Sequence, residues 1–315
     1  MPFLSICIPT YNQPVAVDNL LSAIVEQWQV DIEVIVCDDS QAEDTAVIVE
    51  KYSEIIPIRY VRRARGGLDK AIIDLVDAAG GDYVWWIGDD KILPDGIATV
   101  LEFLKKNDPD FLWVNSFDEL NPVQRTFDLQ GDVITYDPNE LLSFDIGLLG
   151  FITATIFKRR LAARHLNTAS LHLGSAWVCL YIVLCVVTSG GRLAILSTPC
   201  FSSLPKPSGE VRWYDQFQVF GVNLLHIVLN FSERFDKNKL ISALNRNLER
   251  VMRSILVERA LGYKTGFASS SVSVKPLFIN YYKFPLFWLY LPLLVIPSAV
   301  LKVLYSLYKK MSRAE

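Results

Sequence analysis

"YVWWIGDDKILP" spans residues 83–94, and an apolar run from Val84 to Ile87 leads straight into Asp89 and Asp90. A short unbroken apolar run rich in β-branched and aromatic residues predicts a strand buried on both faces. Two adjacent carboxylates at its end repel each other and are costly to desolvate. Something positive normally compensates such a pair: a metal ion, nearby Lys or Arg side chains, or water.

The same pattern recurs on either side. "FLSICI" (3–8), "IEVIVC" (32–37), "IRYV" (58–61) and "FLWVN" (111–115) read as further buried strands. Between them, amphipathic spacing predicts helices over 16–27, 42–55, 68–79 and 95–107, the last opening on Pro94 at a first-turn position. Strands alternating with helices predict a mostly parallel, Rossmann-like sheet whose ligands bind beyond the carboxyl ends of its strands. Three of those ends are polar: "PTYN" (9–12), "DDS" (38–40) and "GDD" (88–90). Each alone reads as a turn. Three together on one rim predict a site.

Composition narrows the class. A chain of 315 residues with net charge −3 has no global drive toward nucleic acid. Its hydrophobic content of 51% and mean hydropathy of +0.27 point to a membrane-facing part. Five cysteines, an odd number without a CxxC pair, argue against a disulfide framework or a zinc site and suit a reducing compartment. The first residues, "MPFLSICIPTYN", lack the basic region of a signal peptide. A cytoplasmic chain is expected.

Beyond residue 115 the pattern loosens into a polar, Asp-rich stretch, followed by a strand running into a basic helix start (151–160) and another strand (192–197). "SAWVCLYIVLCVV" (175–187) is apolar all round but short, which predicts a buried core helix. Residues 216–262 read as amphipathic helix. The tail holds 18 uncharged residues (284–301) interrupted by Pro285, Pro292 and Pro297, with Lys283 before it and Lys302, Lys309, Lys310 and Arg313 after it. Prolines break a straight span, and basic flanks favour lipid headgroups, so a re-entrant or in-plane membrane anchor is expected. The predicted organisation is an α/β domain over 1–205, a helical extension over 206–280 and a membrane-associating tail over 281–315.

"SICIPTYN", "EVIVCDDS" and "GLDKAIIDLVDAAGGDYVWWIGDDKILPDGI" resemble, in order and spacing, the successive signatures of family 2 glycosyltransferases, which have the GT-A fold. The likeness covers about residues 3–110 and is nearest the O-antigen, abequosyltransferase-like type. It implies that Pro9, Thr10, Tyr11 and Asn12 with Asp38 and Asp39 hold the nucleotide, Asp38 accepting a hydrogen bond from the base, whether uracil, cytosine or thymine. It implies that Asp90 ligates a divalent cation, Mn²⁺ or Mg²⁺, bridging the donor's phosphates, and that Asp89 touches the ribose or the same metal. Gly67 matches the glycine ahead of the third helix, with Lys70 and one of Arg62, Arg63 and Arg65 approaching the diphosphate.

The resemblance further implies inverting transfer from a nucleotide-diphosphate sugar to a hydroxyl of a lipid-linked saccharide, at the cytoplasmic face of the inner membrane. One part of the pattern is missing. Many members place an acidic "ED" pair, which supplies the base, near 170–180, where this chain reads "LHLGSAWV". Asp118, Glu119, Asp145, His172 and Glu210 are the substitutes that the sequence offers. A catalytically inactive nucleotide-sugar-binding or assembly protein is the alternative that the missing pair permits.

Overall fold

A computed structural model describes residues 1–63, 65–118, 121–203, 215, 217–261 and 274–311. They fall into two compact units, one of residues 1–141 and 148–208, the other of 142–147 and 209–315.

The first unit begins with β1 (Leu4–Thr10), α1 (Pro14–Glu26), β2 (Ile32–Asp38), α2 (Asp44–Ser53), β3 (Ile58–Arg62), α3 (Gly67–Ala78) and β4 (Tyr83–Trp86). It continues through β5 (Lys91–Ile92), α4 (Gly96–Asn107), β6 (Phe111–Asp118), β7 (Asn121–Arg125), β8 (Val133–Thr135) and β9 (Thr155–Lys158). Short helices α5 (Arg159–Ala162) and α6 (Leu166–Ala169) lead to α7 (Val178–Val187) and β10 (Leu193–Ser203). The helices form where apolar residues recur at three- and four-residue steps, as with Val17, Leu20, Leu21 and Ile24 of α1, all buried. In α7 every residue but Tyr181 is buried, which makes it the core helix expected from its length.

The sheet runs β3-β2-β1-β4-β9-β6-β10-β5, with β7 on β6 and β8 on β10. β1 pairs in parallel with β2 and with β4, and β2 with β3. Strand order therefore reverses after β3, with β2 on one side of β1 and β4 on the other, and in such sheets ligands bind beyond the carboxyl ends at this switch point. Right-handed crossovers put α1 and α2 on one face and α3 on the other, where the Cys7 thiol of β1 meets the Leu75 carbonyl of α3 at 3.9 Å.

Past β4 the sheet departs from a simple parallel pattern. β9 is antiparallel to both neighbours, β4 and β6, and β5 pairs antiparallel with β10. The stretch 151–160, expected as a strand running into a basic helix start, is a 3-10 turn (Ile152–Ala154), then β9, then α5.

The second unit holds a π-helix (Phe217–Asn223), α8 (Leu224–Leu229), α9 (Lys237–Leu261), α10 (Val274–Tyr281), α11 (Pro285–Val295) and α12 (Ser298–Met311). α11 and α12 pack on α9, burying Phe287, Leu294 and Leu301. Arg259 of α9 donates to the carbonyls of Leu293, Leu294 and Ile296, capping the end of α11 where the chain bends by 111° into α12. Among the described residues, no single helix is long and apolar enough to cross a membrane.

Candidate functional site

The carboxyl ends of β1, β2 and β4 lie side by side, with Thr10 in register with Asp38. Asp38 is fully buried. Its Oδ1 accepts from the Ser40 amide at 2.8 Å and its Oδ2 from the Tyr60 hydroxyl at 2.7 Å. Burial first, then the Asp38 carboxylate, pushes the Tyr60 phenol up, so it stays a donor. An ionised carboxylate has lone pairs beyond these two and offers only acceptors to a ligand.

Asp39 behaves differently. Its Oδ1 accepts from Arg63 Nε at 3.0 Å and Nη2 at 2.6 Å, and its Oδ2 from the amides of Gly66 at 3.1 Å and Gly67 at 2.7 Å. Four donors fill this carboxylate, and what it holds is the turn between β3 and α3. Gly67 sits at φ +76°, a left-handed conformation that a side chain would strain.

The basic cluster is partly committed to its own acids. Arg62 pairs with Glu43, Arg63 pairs with Asp74 as well as Asp39, and Lys70 pairs with Asp74. Arg65 instead lies over the ring of Tyr11, 5.3 Å from its centroid. Tyr11 is 44% exposed. Asn12, at φ +53°, donates its amide to Ser40 Oγ at 2.8 Å, and the Thr10 carbonyl accepts from the Asp39 amide at 3.0 Å. Thr10 Oγ1 is buried without a hydrogen-bond partner. Pro9 precedes it, half-buried.

At the end of β4, Asp89 is exposed and Asp90 buried. The Thr153 hydroxyl donates to Asp90 Oδ2 and accepts from the Gly88 amide at 3.1 Å. Nothing in the sequence marked Thr153, since its role depends on a strand pairing that joins residues some seventy positions apart.

Asp69 was missed as well. This acid in the first turn of α3 is 7% exposed and accepts from the amides of Ala176 at 2.9 Å and Val178 at 3.2 Å. Burial raises its pKa against the pull of those amides. It clamps the loop before α7, which passes through left-handed Gly174 and Ala176. The acid following "GGL" on an otherwise apolar helix face was the available signal.

The candidate bases are dispersed. His172 is half-buried beside Tyr181, ring centroids 4.4 Å apart, and burial holds its pKa down against the opposing effect of Asp69, leaving the imidazole neutral at pH 7. Asp145 belongs to the second unit, where it pairs with Arg250 and accepts from the Gly147 amide at 2.9 Å. Asp118 closes β6, in register with Ser203. Glu119 and Glu210 lie outside the described residues.

Among the described residues no three His, Cys, Asp or Glu side chains gather to enclose a metal. The acid pair nonetheless fits a hard dication held by one or two carboxylates and completed by phosphate oxygens and water.

Residues 5–154 match the family described as Glycosyl transferase family 2. The chain carries a family 2 glycosyltransferase domain. This glycosyltransferase domain is 32% identical over 107 residues to an abequosyltransferase of Salmonella typhimurium, a match covering 32% of each chain. It is 28% identical over 108 residues to the GalNAc(5)-diNAcBac-PP-undecaprenol beta-1,3-glucosyltransferase of Campylobacter jejuni, covering 32% of this chain and 34% of that one. The chain thus matches only about a third of the length of these curated relatives. The fold is similar to that of residues 1–349 of TarS from S. aureus, solved with UDP-GlcNAc, with a TM-score of 0.65 at 18% identity over 88% of this chain and 79% of that one. The α/β sheet with flanking helices is a GT-A fold.

Proposed function

We propose that this protein transfers a sugar from a nucleoside diphosphate donor to a hydroxyl of a lipid-linked saccharide, with inversion, in the synthesis of a surface polysaccharide. The observation that carries the reading is the Asp89–Asp90 pair at the carboxyl end of β4, beside the point where strand order reverses. A solved structure of similar fold holds UDP-GlcNAc, and one relative is named for a glucosyl transfer onto an undecaprenol-linked acceptor.

In this reading Asp38 accepts a hydrogen bond from the base, while Tyr11, flanked by Arg65, offers an exposed ring to it. Asp90 and Asp89 hold Mn²⁺ or Mg²⁺, which when bound neutralises charge on the departing diphosphate. Asp39 keeps the Gly66–Gly67 turn in place beneath the phosphates. His172, Asp118 and Asp145 are the candidate bases among the described residues. The stretch "LHLGSAWV" (171–178), which carries no acidic pair where one is expected, favours a second reading as a donor-binding protein without turnover.

The test is a screen of purified protein against nucleotide sugars with Mn²⁺ and with Mg²⁺. Release of a nucleoside diphosphate from one donor is expected. Binding without release selects the second reading, and neither binding nor release rejects both.

The membrane part of the proposal rests on the outer face of α11 and α12, where Trp288, Leu289, Val300, Val303, Leu304 and Leu307 are all exposed. Lys283 and Lys302 flank this face and are exposed too. An apolar strip with basic flanks suits an in-plane seat on anionic lipid. The five unbridged cysteines suit the cytoplasmic side. The protein should co-sediment with anionic vesicles, and high salt should release only part of it. Leu289→Glu with Leu304→Glu should move it to the supernatant without changing donor binding. A wild-type protein that ignores vesicles would remove the anchor.

A further inference from the structure

We propose that Thr153 is a positioning residue for Asp90, and through Asp90 for the cation and diphosphate; the inference rests on the donor-site reading above. Thr153 is fully buried in the 3-10 turn before β9. Because β9 runs antiparallel to β4, with Ile156 opposite Trp85, that turn lies against the carboxyl end of β4. Trp85 Nε1 donates to the Thr153 carbonyl at 2.8 Å, which fastens the turn to the strand.

The hydroxyl then has a fixed polarity. The Gly88 amide donates to Thr153 Oγ1 at 3.1 Å, so the hydroxyl proton points elsewhere, and Asp90 Oδ2 receives it. One residue therefore holds the strand before the acid pair, the glycine ahead of it and the carboxylate itself. The loop also sits tightly on the turn: a Cβ at Gly88 would lie 3.3 Å from Ile152 Cδ1.

The chemical consequence is preorganisation. A hydroxyl that donates to one oxygen fixes the carboxylate's orientation before any ligand arrives. Asp89, exposed, has no such brace. Metal-dependent affinity should therefore be sensitive to the Thr153 hydroxyl, whereas affinity for the nucleotide alone should not.

Calorimetric dissociation constants for UDP, CDP and GDP, each measured in Mn²⁺ and in EDTA, test this. In the wild type Mn²⁺ should tighten binding of at least one nucleotide, and Thr153→Ser should stay within about threefold of it, since the hydroxyl survives. Thr153→Val should lose about ten- to a hundredfold in Mn²⁺ and change little in EDTA. Should the valine variant not fold, Thr153→Cys keeps the volume with a weak donor and should show the same selective loss at smaller size. Equal affinities for wild type and the folded variant in Mn²⁺, or equal losses with and without metal, would overturn the positioning role alone. A wild type that gains nothing from Mn²⁺ with any nucleotide would overturn the donor-site reading and this inference with it.

Discussion

The two rims of the same sheet are both rich in acids, yet they use them differently. At the amino end of β4, Tyr83 donates to Asp108 at 2.8 Å, and Lys158 pairs with Asp108 and with Asp110, each at 3.0 Å. Arg160 adds a longer contact to Asp110 at 3.6 Å. These charges close on one another. At the carboxyl rim Asp39 is likewise saturated by internal donors, but Asp89 stands exposed. Acid density alone does not mark a site. What separates Asp108 and Asp110 from Asp89 is whether the fold supplies donors to pair with the carboxylate.

Substitutions can break or sharpen this contrast. The largest effect is expected for Asp90→Ala, which should lower transfer at least a thousandfold, as loss of a metal-holding group does (~4 kcal/mol of barrier). The melting temperature should fall by no more than about 10 °C, the cost of leaving the buried Thr153 hydroxyl without its acceptor. Chelator should reproduce the loss in the wild type, and full transfer in excess chelator would end the distinction between the rims.

Asp39→Ala should act on stability instead. Breaking a buried pair leaves Arg63 short of a partner, at a cost of about 3 kcal/mol in urea unfolding, since the Asp39 side chain is only 5% exposed. A change within about 0.5 kcal/mol would make Asp39 a ligand group and not a brace.

The smallest effect is expected at the amino rim. Burial alone would raise the Asp108 carboxyl, but hydrogen bonds from Lys158 and Tyr83 outweigh it and hold the pKa below its ordinary value. A depressed carboxyl contributes stability above its unfolded pKa of about 3.9, lost as pH falls through the folded value. With the side chain 74% exposed, screening reduces the worth to about 0.5 kcal/mol. Asp108→Asn should therefore cost that much at pH 7 and nothing near pH 2, with donor affinity unchanged throughout. A larger loss of donor binding than of stability would tie this rim to function.

Much of this was legible from pattern. β1, β2, β4 and β6 read off as apolar runs, and the polar residues that end the first three mark the rim in the sequence itself. What failed to read depends on long-range pairing. β5 has only two residues, Lys91 and Ile92, and exists because β10 lies beside it. The antiparallel direction of β9 has no local signature, and with it went Thr153. That Arg63, Gly66 and Gly67 return to donate to Asp39 likewise has no local signature. The tail was read by hydropathy as one block, whereas its helices divide between a face on α9 and a face exposed.

The parallel pairing of β1 with β4 also sets a schedule. Leu4 lies opposite Tyr83, so one flank of β1 waits for a strand made much later in the chain. At ribosomal rates of ~5–20 residues per second, that delay is roughly 4–16 s. During it, a strand whose residues Leu4–Ile8 end fully buried has an open edge. Newly made copies are thus most vulnerable to strand exchange with one another before residue 86 has emerged. Slower synthesis between residues 38 and 83 should lower the yield of native protein more than an equal pause after β4.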